Sequence, residues 1–211
     1  MNVLIVNGGI AYFNLFKELG FTPVEEVKDA QLVCFTGGED VTPELYGQKK
    51  HHSTYNSVAR DEYETRVFAQ CITNDIPMVG ICRGAQFLNV MNGGEMYQDV
   101  GKHAVYQGHE IIDVLTDERI HVTSTHHQMM KPGNDSVLIA YAELAGFREW
   151  YDGDKLRADI SDKDIEVVGY PKTRCLCFQP HPEFNLPNAG HRDMRAYFAG
   201  LVRELLEAQE A

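Results

Sequence analysis

Long apolar runs are missing from this chain of 211 residues. No stretch approaches the roughly 18–20 consecutive apolar residues that a membrane-spanning helix needs, so no membrane association is expected. Basic residues are scarce as well: 19 Lys and Arg stand against 31 Asp and Glu, a formal net charge of -12. Nucleic-acid binding usually needs a basic patch, and this balance argues against it. Cysteine is sparse and unpatterned. Five cysteines make an odd count without disulfide-framework spacing, which points to a reducing, cytoplasmic compartment. Nine histidines are present, yet none falls in an H-E-x-x-H and no C-x-x-C occurs, so no metal site is expected. Met1–Asn7 carries no basic leader and reads as a first strand rather than a signal peptide.

What remains is an ordinary globular composition, 44% apolar, long enough for one sizeable domain over residues 1–211. Within it one run stands out. The apolar segment Ile76-Pro77-Met78-Val79 feeds Gly80-Ile81-Cys82-Arg83-Gly84, and Ala85–Met91 follows as a helix. Strand, tight turn and helix with a central Cys make a nucleophile elbow. The flanking glycines lack a Cβ, so the chain can turn sharply around the sulfur. The helix N-terminus would point at that sulfur and stabilise negative charge on it. A buried structural Cys at a strand-to-helix turn is the blander alternative.

A thiolate nucleophile needs an oriented proton shuttle. Cys175–Phe178 reads as a buried strand, followed by Gln179-Pro180-His181-Pro182-Glu183. His181 would stand just beyond the strand end, held between two prolines whose φ is fixed. Glu183, two residues on in extended chain, projects to the same side and reaches the imidazole. Cys34, Cys71, Cys175 and Cys177 read as packing residues. Cys175 and Cys177 are expected to face opposite sides of their strand.

The combination of G-I-C-R-G and P-H-P-E resembles the class I glutamine amidotransferase superfamily. Four further blocks narrow the resemblance: Thr36–Gly47, Arg60–Glu64, Gly93–Asp99 and Ser124–Gln128. Together they are similar to the gamma-glutamyl hydrolase branch, a C26-like cysteine peptidase family, and most of all to its gamma-glutamyl-gamma-aminobutyrate hydrolase type. The resemblance implies an oxyanion hole made by the backbone N–H groups of Gly38 and Arg83. It implies that Gln86 helps hold the glutamyl group, and that His126 and His127 line the end that takes its α-amino and α-carboxylate groups. Arg60, Asp61 and Glu64 are expected to anchor a helix against the site, and Asp99 to be structural.

The implied activity is hydrolysis of a gamma-glutamyl amide through a thioester on Cys82, releasing glutamate and an amine, without a cofactor. The alternative is a glutaminase subunit that acts on glutamine and passes ammonia to a separate synthetase partner. A binding protein on a retained scaffold is a third, non-enzymatic alternative. The sequence leaves a homodimer open, and it leaves open whether the loop over residues 37–56 closes on substrate.

The expected architecture is α/β: a mostly parallel central sheet flanked by helices in three layers, flavodoxin-like. Strands are expected at Val3–Val6, Val24–Val27, Leu32–Phe35, Ile111–Leu115, Ile120–Thr123, Val137–Ala142, Ile165–Gly169 and Cys175–Phe178. Helices are expected at Tyr12–Leu19, Ala59–Ile72 and Arg192–Ala208, besides the one after Cys82. Catalytic groups then fall at the carboxyl ends of strands, as open α/β sheets place them.

Overall fold

In the computed structural model, which describes residues 1–184 and 189–208, the chain alternates strand and helix through its first half. It runs β1 (Asn2–Val6), α1 (Ile10–Glu18), β2 (Thr22–Val24), β3 (Leu32–Phe35), α2 (Val58–Thr73), β4 (Met78–Ile81) and α3 (Arg83–Met91). The second half is strand-rich: β5 (Glu95–Tyr97), β6 (Asp99–Val100), β7 (Ala104–Asp113), β8 (Arg119–Thr125), β9 (Met129–Lys131), β10 (Val137–Ala142), β11 (Phe147–Asp152), β12 (Lys155–Ile160), β13 (Asp164–Tyr170) and β14 (Cys175–Phe178). Helix α4 (Ala189–Glu207) follows.

Nine strands form the main sheet, in the order β2-β1-β3-β4-β14-β13-β10-β7-β8. The sheet is mixed. From β2 to β14 every neighbouring pair is parallel; from β14 to β8 every pair is antiparallel. The composition of the strands explains the division. β3, β4 and β14 are LVCF, MVGI and CLCF, buried at every position, as strands covered on both faces must be. Helices α1 and α4 cover one face through Leu15, Phe16, Met194, Phe198 and Val202. Helices α2 and α3 cover the other through Val67, Phe68, Cys71, Phe87 and Leu88. The result is the three-layer α/β arrangement. Among the described residues no helix is long and apolar enough to cross a membrane.

Some expectations shift. The short second strand ends at Val24, and Val27–Asp29 is a 3-10 turn instead. The strand expected over Ile111–Leu115 starts at Ala104 and ends at Asp113, where the Asp113 carboxylate accepts the backbone N–H groups of Leu115 and Thr116 and turns the chain. Cys175 and Cys177 correct the expectation of opposite faces: both belong to the core on the α2/α3 side, whereas Leu176 between them belongs to the other. Residues two apart on a strand share a face. The segment Phe147–Ile160, not read as strand, forms the hairpin β11–β12, closed by the two-residue turn Gly153-Asp154 with Gly153 at φ 59°.

Candidate active site

The carboxyl ends of β3, β4 and β14 lie side by side, and each delivers one part of the site. At the end of β4, Cys82 caps α3 with φ 52° and ψ -112°, a conformation that an L-residue holds only when the surroundings impose it. The surroundings do. The Cys82 N–H donates to Phe178 O at 2.9 Å, and Gln86 N–H donates to Cys82 O at 3.1 Å. A Cβ on Gly80 would stand 2.4 Å from the carbonyl carbon of Gly84, and a Cβ on Gly84 would stand 2.1 Å from Phe35 O. Both glycines of the elbow are therefore needed for helix α3 to reach the sheet.

Beyond β14, His181 is held on several sides. Its N–H donates to the Thr123 hydroxyl at 2.7 Å. Its ring stacks on Phe184, 4.4 Å between centroids and 2° from parallel. Its Nδ1 donates to Glu183 Oε1 at 2.6 Å, which leaves Nε2 for Cys82. Burial disfavours the imidazolium, but the charge and hydrogen bond of Cys82, and then Glu183, prevail and raise the His181 pKa to about 10. All three residues are buried. The structure thus brings together Cys82, His181 and Glu183.

The turn after β3 closes the other side. A Cβ on Gly37 would stand 3.0 Å from His181 Cε1. Gly38 has φ 146°, and a Cβ there would stand 2.0 Å from Arg60 Nη1. Arg60 fixes this turn by donating to Thr36 O and Gly37 O at 2.9 and 3.0 Å, and it also pairs with Glu64 and Glu39. Arg83 is the first residue of α3, where a backbone N–H has no intrahelical acceptor. Its side chain points away into the core, where it pairs with Asp61 and Glu64 of α2. Burial and neighbouring Arg60 lower its pKa to about 10, so the guanidinium stays charged at neutral pH.

A cleft of about 230 Å³ opens in front of Cys82, lined by Gly38, Asp40, Tyr55, Arg83, Gln86 and the turn Thr125–Gln128, among others. Gln86 is anchored through its amide to Gln128 O and Gln179 Oε1 at 3.1 and 3.2 Å. His127 is half-exposed and faces Asp40 at 3.2 Å, and that hydrogen bond raises its pKa. His126 turns inward. Its Nδ1 donates to Gln128 O at 2.9 Å and its Nε2 faces Glu166, while burial lowers its pKa. The loop over residues 37–56 forms one wall. Buried Gln98 ties it down, accepting from His51 N–H and the Thr54 hydroxyl and donating to Lys49 O and Gln48 Oε1.

Two contributors escape sequence reasoning. The Tyr12 hydroxyl accepts the Gly37 N–H at 3.0 Å; burial and the adjacent Glu183 charge push its pKa upward, keeping it a neutral phenol. Gln98 stands inside a recognised block but carries no local sign of its role. Only its burial, absent from sequence, gives it away.

With this geometry in view, the family is decided by a model of Peptidase C26 that matches residues 24–183. The chain belongs to the Peptidase C26 family. It is 27% identical to the glutamine amidotransferase-like protein YvdE of Lactococcus lactis over 82% of this chain and 79% of that one. It is 30% identical to Protein NtpR of Enterococcus hirae over 72% of this chain and 66% of that one. Against other curated relatives it spans about half their length, 54% and 51% in two cases. Among solved structures, PurLQS from Thermotoga maritima shares the fold, with a TM-score of 0.62 at 15% identity over 96% of this chain and 97% of that one. The chain thus joins a Peptidase C26 sequence to a three-layer α/β fold shared with PurLQS.

Proposed function

We propose that the chain hydrolyses a gamma-glutamyl amide through a gamma-glutamyl thioester on Cys82. The observation that carries this reading is the convergence of a strained elbow cysteine, a histidine charged by its contact with that cysteine, and a glutamate on the far ring nitrogen. Cys82 Sγ attacks the gamma-carbonyl carbon, and a C–S bond forms as the carbonyl oxygen takes the negative charge. The backbone N–H groups of Gly38 and Arg83 receive that oxyanion; donors of this kind contribute roughly 3 kcal/mol each to the transition state. As the tetrahedral adduct collapses, the C–N bond breaks and the His181 proton leaves with the amine. His181, now neutral, takes a proton from water as it attacks the thioester, and glutamate departs with Cys82 restored. Glu183 holds the His181 tautomer and stabilises its charged form throughout.

The cleft suits an amino-acid head group. Asp40 offers a carboxylate to an ammonium, and His127 beside it, whose pKa that carboxylate raises, offers an imidazole N–H to an α-carboxylate. Gln86 is fixed to meet the side of the glutamyl chain. His126 contributes by shaping the wall between Thr125 and Gln128. No cofactor enters this chemistry.

The second reading retains the thioester and changes the destination of the amine: glutamine is the substrate and ammonia passes to a separate synthetase. What favours it is the fold shared with the Thermotoga maritima PurLQS chain. Incubating the purified chain alone with glutamine and a panel of gamma-glutamyl amines, with Cys82→Ala as control, separates the two. Glutamate release from a gamma-glutamyl amine, lost in the variant, supports the hydrolase. A silent chain whose Cys82 still reacts with a glutamine-like alkylating agent supports the synthetase-dependent reading. Release that persists in Cys82→Ala overturns both.

A further inference from the structure

Behind the cleft wall, β7, β13, the segment just before β7 and the turn just after β8 bring five ionisable side chains into one buried cluster: His103, His109, His126, Asp164 and Glu166, none more than 7% exposed. The hydrogen bonds around them determine which atoms carry protons. His126 Nδ1 donates to Gln128 O, so in the neutral ring Nε2 presents a lone pair. That lone pair faces Glu166 Oε1 at 3.6 Å. Two acceptors so placed call for a positive centre between them. His103 lies between carboxylates, with Nε2 3.3 Å from Asp164 Oδ2 and Nδ1 3.2 Å from Glu166 Oε1. Among the described residues, neither His103 nitrogen, nor His126 Nε2, nor Glu166 Oε2 has an aligned hydrogen-bond partner. Such close, buried, misaligned groups are costly unless something else satisfies them.

We propose that His103, His126 and Glu166 bind a zinc ion, or a divalent ion of similar preference. One ligand atom from each lies within 4.8 Å of the others. Around tetrahedral zinc, nitrogen and oxygen donors about 2.0–2.2 Å from the metal stand roughly 3.3–3.6 Å apart. The 3.6 Å separation from Glu166 falls within that spacing and the 3.2 Å one lies just short of it. Two imidazoles and a carboxylate are a zinc-type donor set. The supporting contacts are those that orient zinc ligands elsewhere. Asp164 faces the far nitrogen of His103, the Gln128 carbonyl takes the far N–H of His126, and His109 lies 2.9 Å from Glu166 Oε1. The ion would tie the segment before β7 and the turn after β8 to β13, and so hold the wall that presents His127 to the cleft. No H-E-x-x-H or C-x-x-C spacing announces such a site, because its ligands come from three separate elements. The site stands independently of whether Cys82 is the nucleophile.

The test uses the full chain carrying Cys82→Ala, so that Cys82 and His181 cannot capture the ion. The protein is stripped with a chelator, equilibrated with zinc, desalted and analysed for metal by mass spectrometry, with thermal unfolding followed in parallel. The expected result is close to one zinc per chain and a higher unfolding midpoint, with cobalt giving the visible spectrum of a low-coordinate nitrogen–oxygen site. Adding Asp164→Asn, which preserves shape, is expected to weaken zinc affinity about 10–100-fold in chelator competition. Zinc retention no greater than that of a Glu166→Gln/His103→Gln variant would overturn the assignment. So would an Asp164→Asn protein that binds zinc as tightly as its parent.

Discussion

Gly80 and Gly84 touch where neither leaves space for a side chain: a Cβ on Gly80 would meet the Gly84 carbonyl oxygen at 2.4 Å. The contact brings the first turn of α3 down onto β4 and forces Cys82, between them, to φ 52°. Gly84 meets backbone on its other side as well, at Phe35 O. Backbone cannot rotate aside as a flexible side chain can. Gly84→Ala is therefore expected to destabilise the fold by at least the roughly 1–3 kcal/mol typical of core overpacking. It should also displace Cys82 enough to abolish activity. Urea denaturation and a thiol-alkylation rate measure the two effects separately.

The buried ion pairs of Arg83 give a second expectation. Arg83→Met removes the cation facing Asp61 and Glu64, leaving the buried Asp61 carboxylate without its cation and Glu64 with Arg60 alone. Breaking a buried pair on one side costs about 3–5 kcal/mol, so a large drop in unfolding free energy is expected. The Arg83 backbone N–H survives the substitution. Activity per folded molecule is therefore expected to fall much less than in a Cys82 variant, and active-site titration supplies that normalisation.

Glu183→Gln keeps the shape of the side chain but offers His181 Nδ1 a weaker partner, or the wrong tautomer if its amide donates. By analogy with the serine triad, kcat is expected to fall by up to ~10⁴-fold. KM for the same substrate should change little, because Glu183 lies behind the histidine rather than against the cleft. Steady-state kinetics on the substrate identified for the wild type separates the two parameters.

His181 supplies a pH expectation. Its pKa is about 10 in the folded protein against an ordinary 6.5. A raised folded-state pKa stabilises the fold fully below the unfolded value, and this contribution disappears as pH rises through the folded one. The stabilisation is therefore present below about pH 6.5 and lost towards about pH 10. Nuclear magnetic resonance of the His181 ring should show it still charged at pH 8. In Cys82→Ala the midpoint should move down, since burial remains while the charge that opposes it has gone. A midpoint unmoved by that substitution contradicts the assigned contact.

Much of this was readable along the chain, and the reason is local. Gly80, Cys82 and Gly84 declare a tight turn within five residues, and His181 and Glu183 sit two apart in a proline-held segment. Strands such as the buried Leu32–Phe35 and the half-buried Val137–Ala142 were readable to the residue from apolar runs bounded by turns. What was not readable depends on distance in sequence. Tyr12 meets Gly37, and Gln98 meets the loop after Pro43, only once the sheet is assembled. The hairpin Phe147–Ile160 is mostly polar and exposed on β12; the Gly153-Asp154 turn was its one signal. The cluster around Glu166 draws its members from separate segments, so no metal-ligand motif along the chain announces it.

The thioester on Cys82 is the centre of the account. Rapid mixing of the enzyme with the substrate it turns over, acid quenching and peptide mass spectrometry test it directly. The account predicts a Cys82 peptide carrying one glutamyl group that appears during turnover, decays as substrate is exhausted, and is absent in Cys82→Ala. A Cys82 peptide that stays unmodified at every time point while glutamate is released would contradict it.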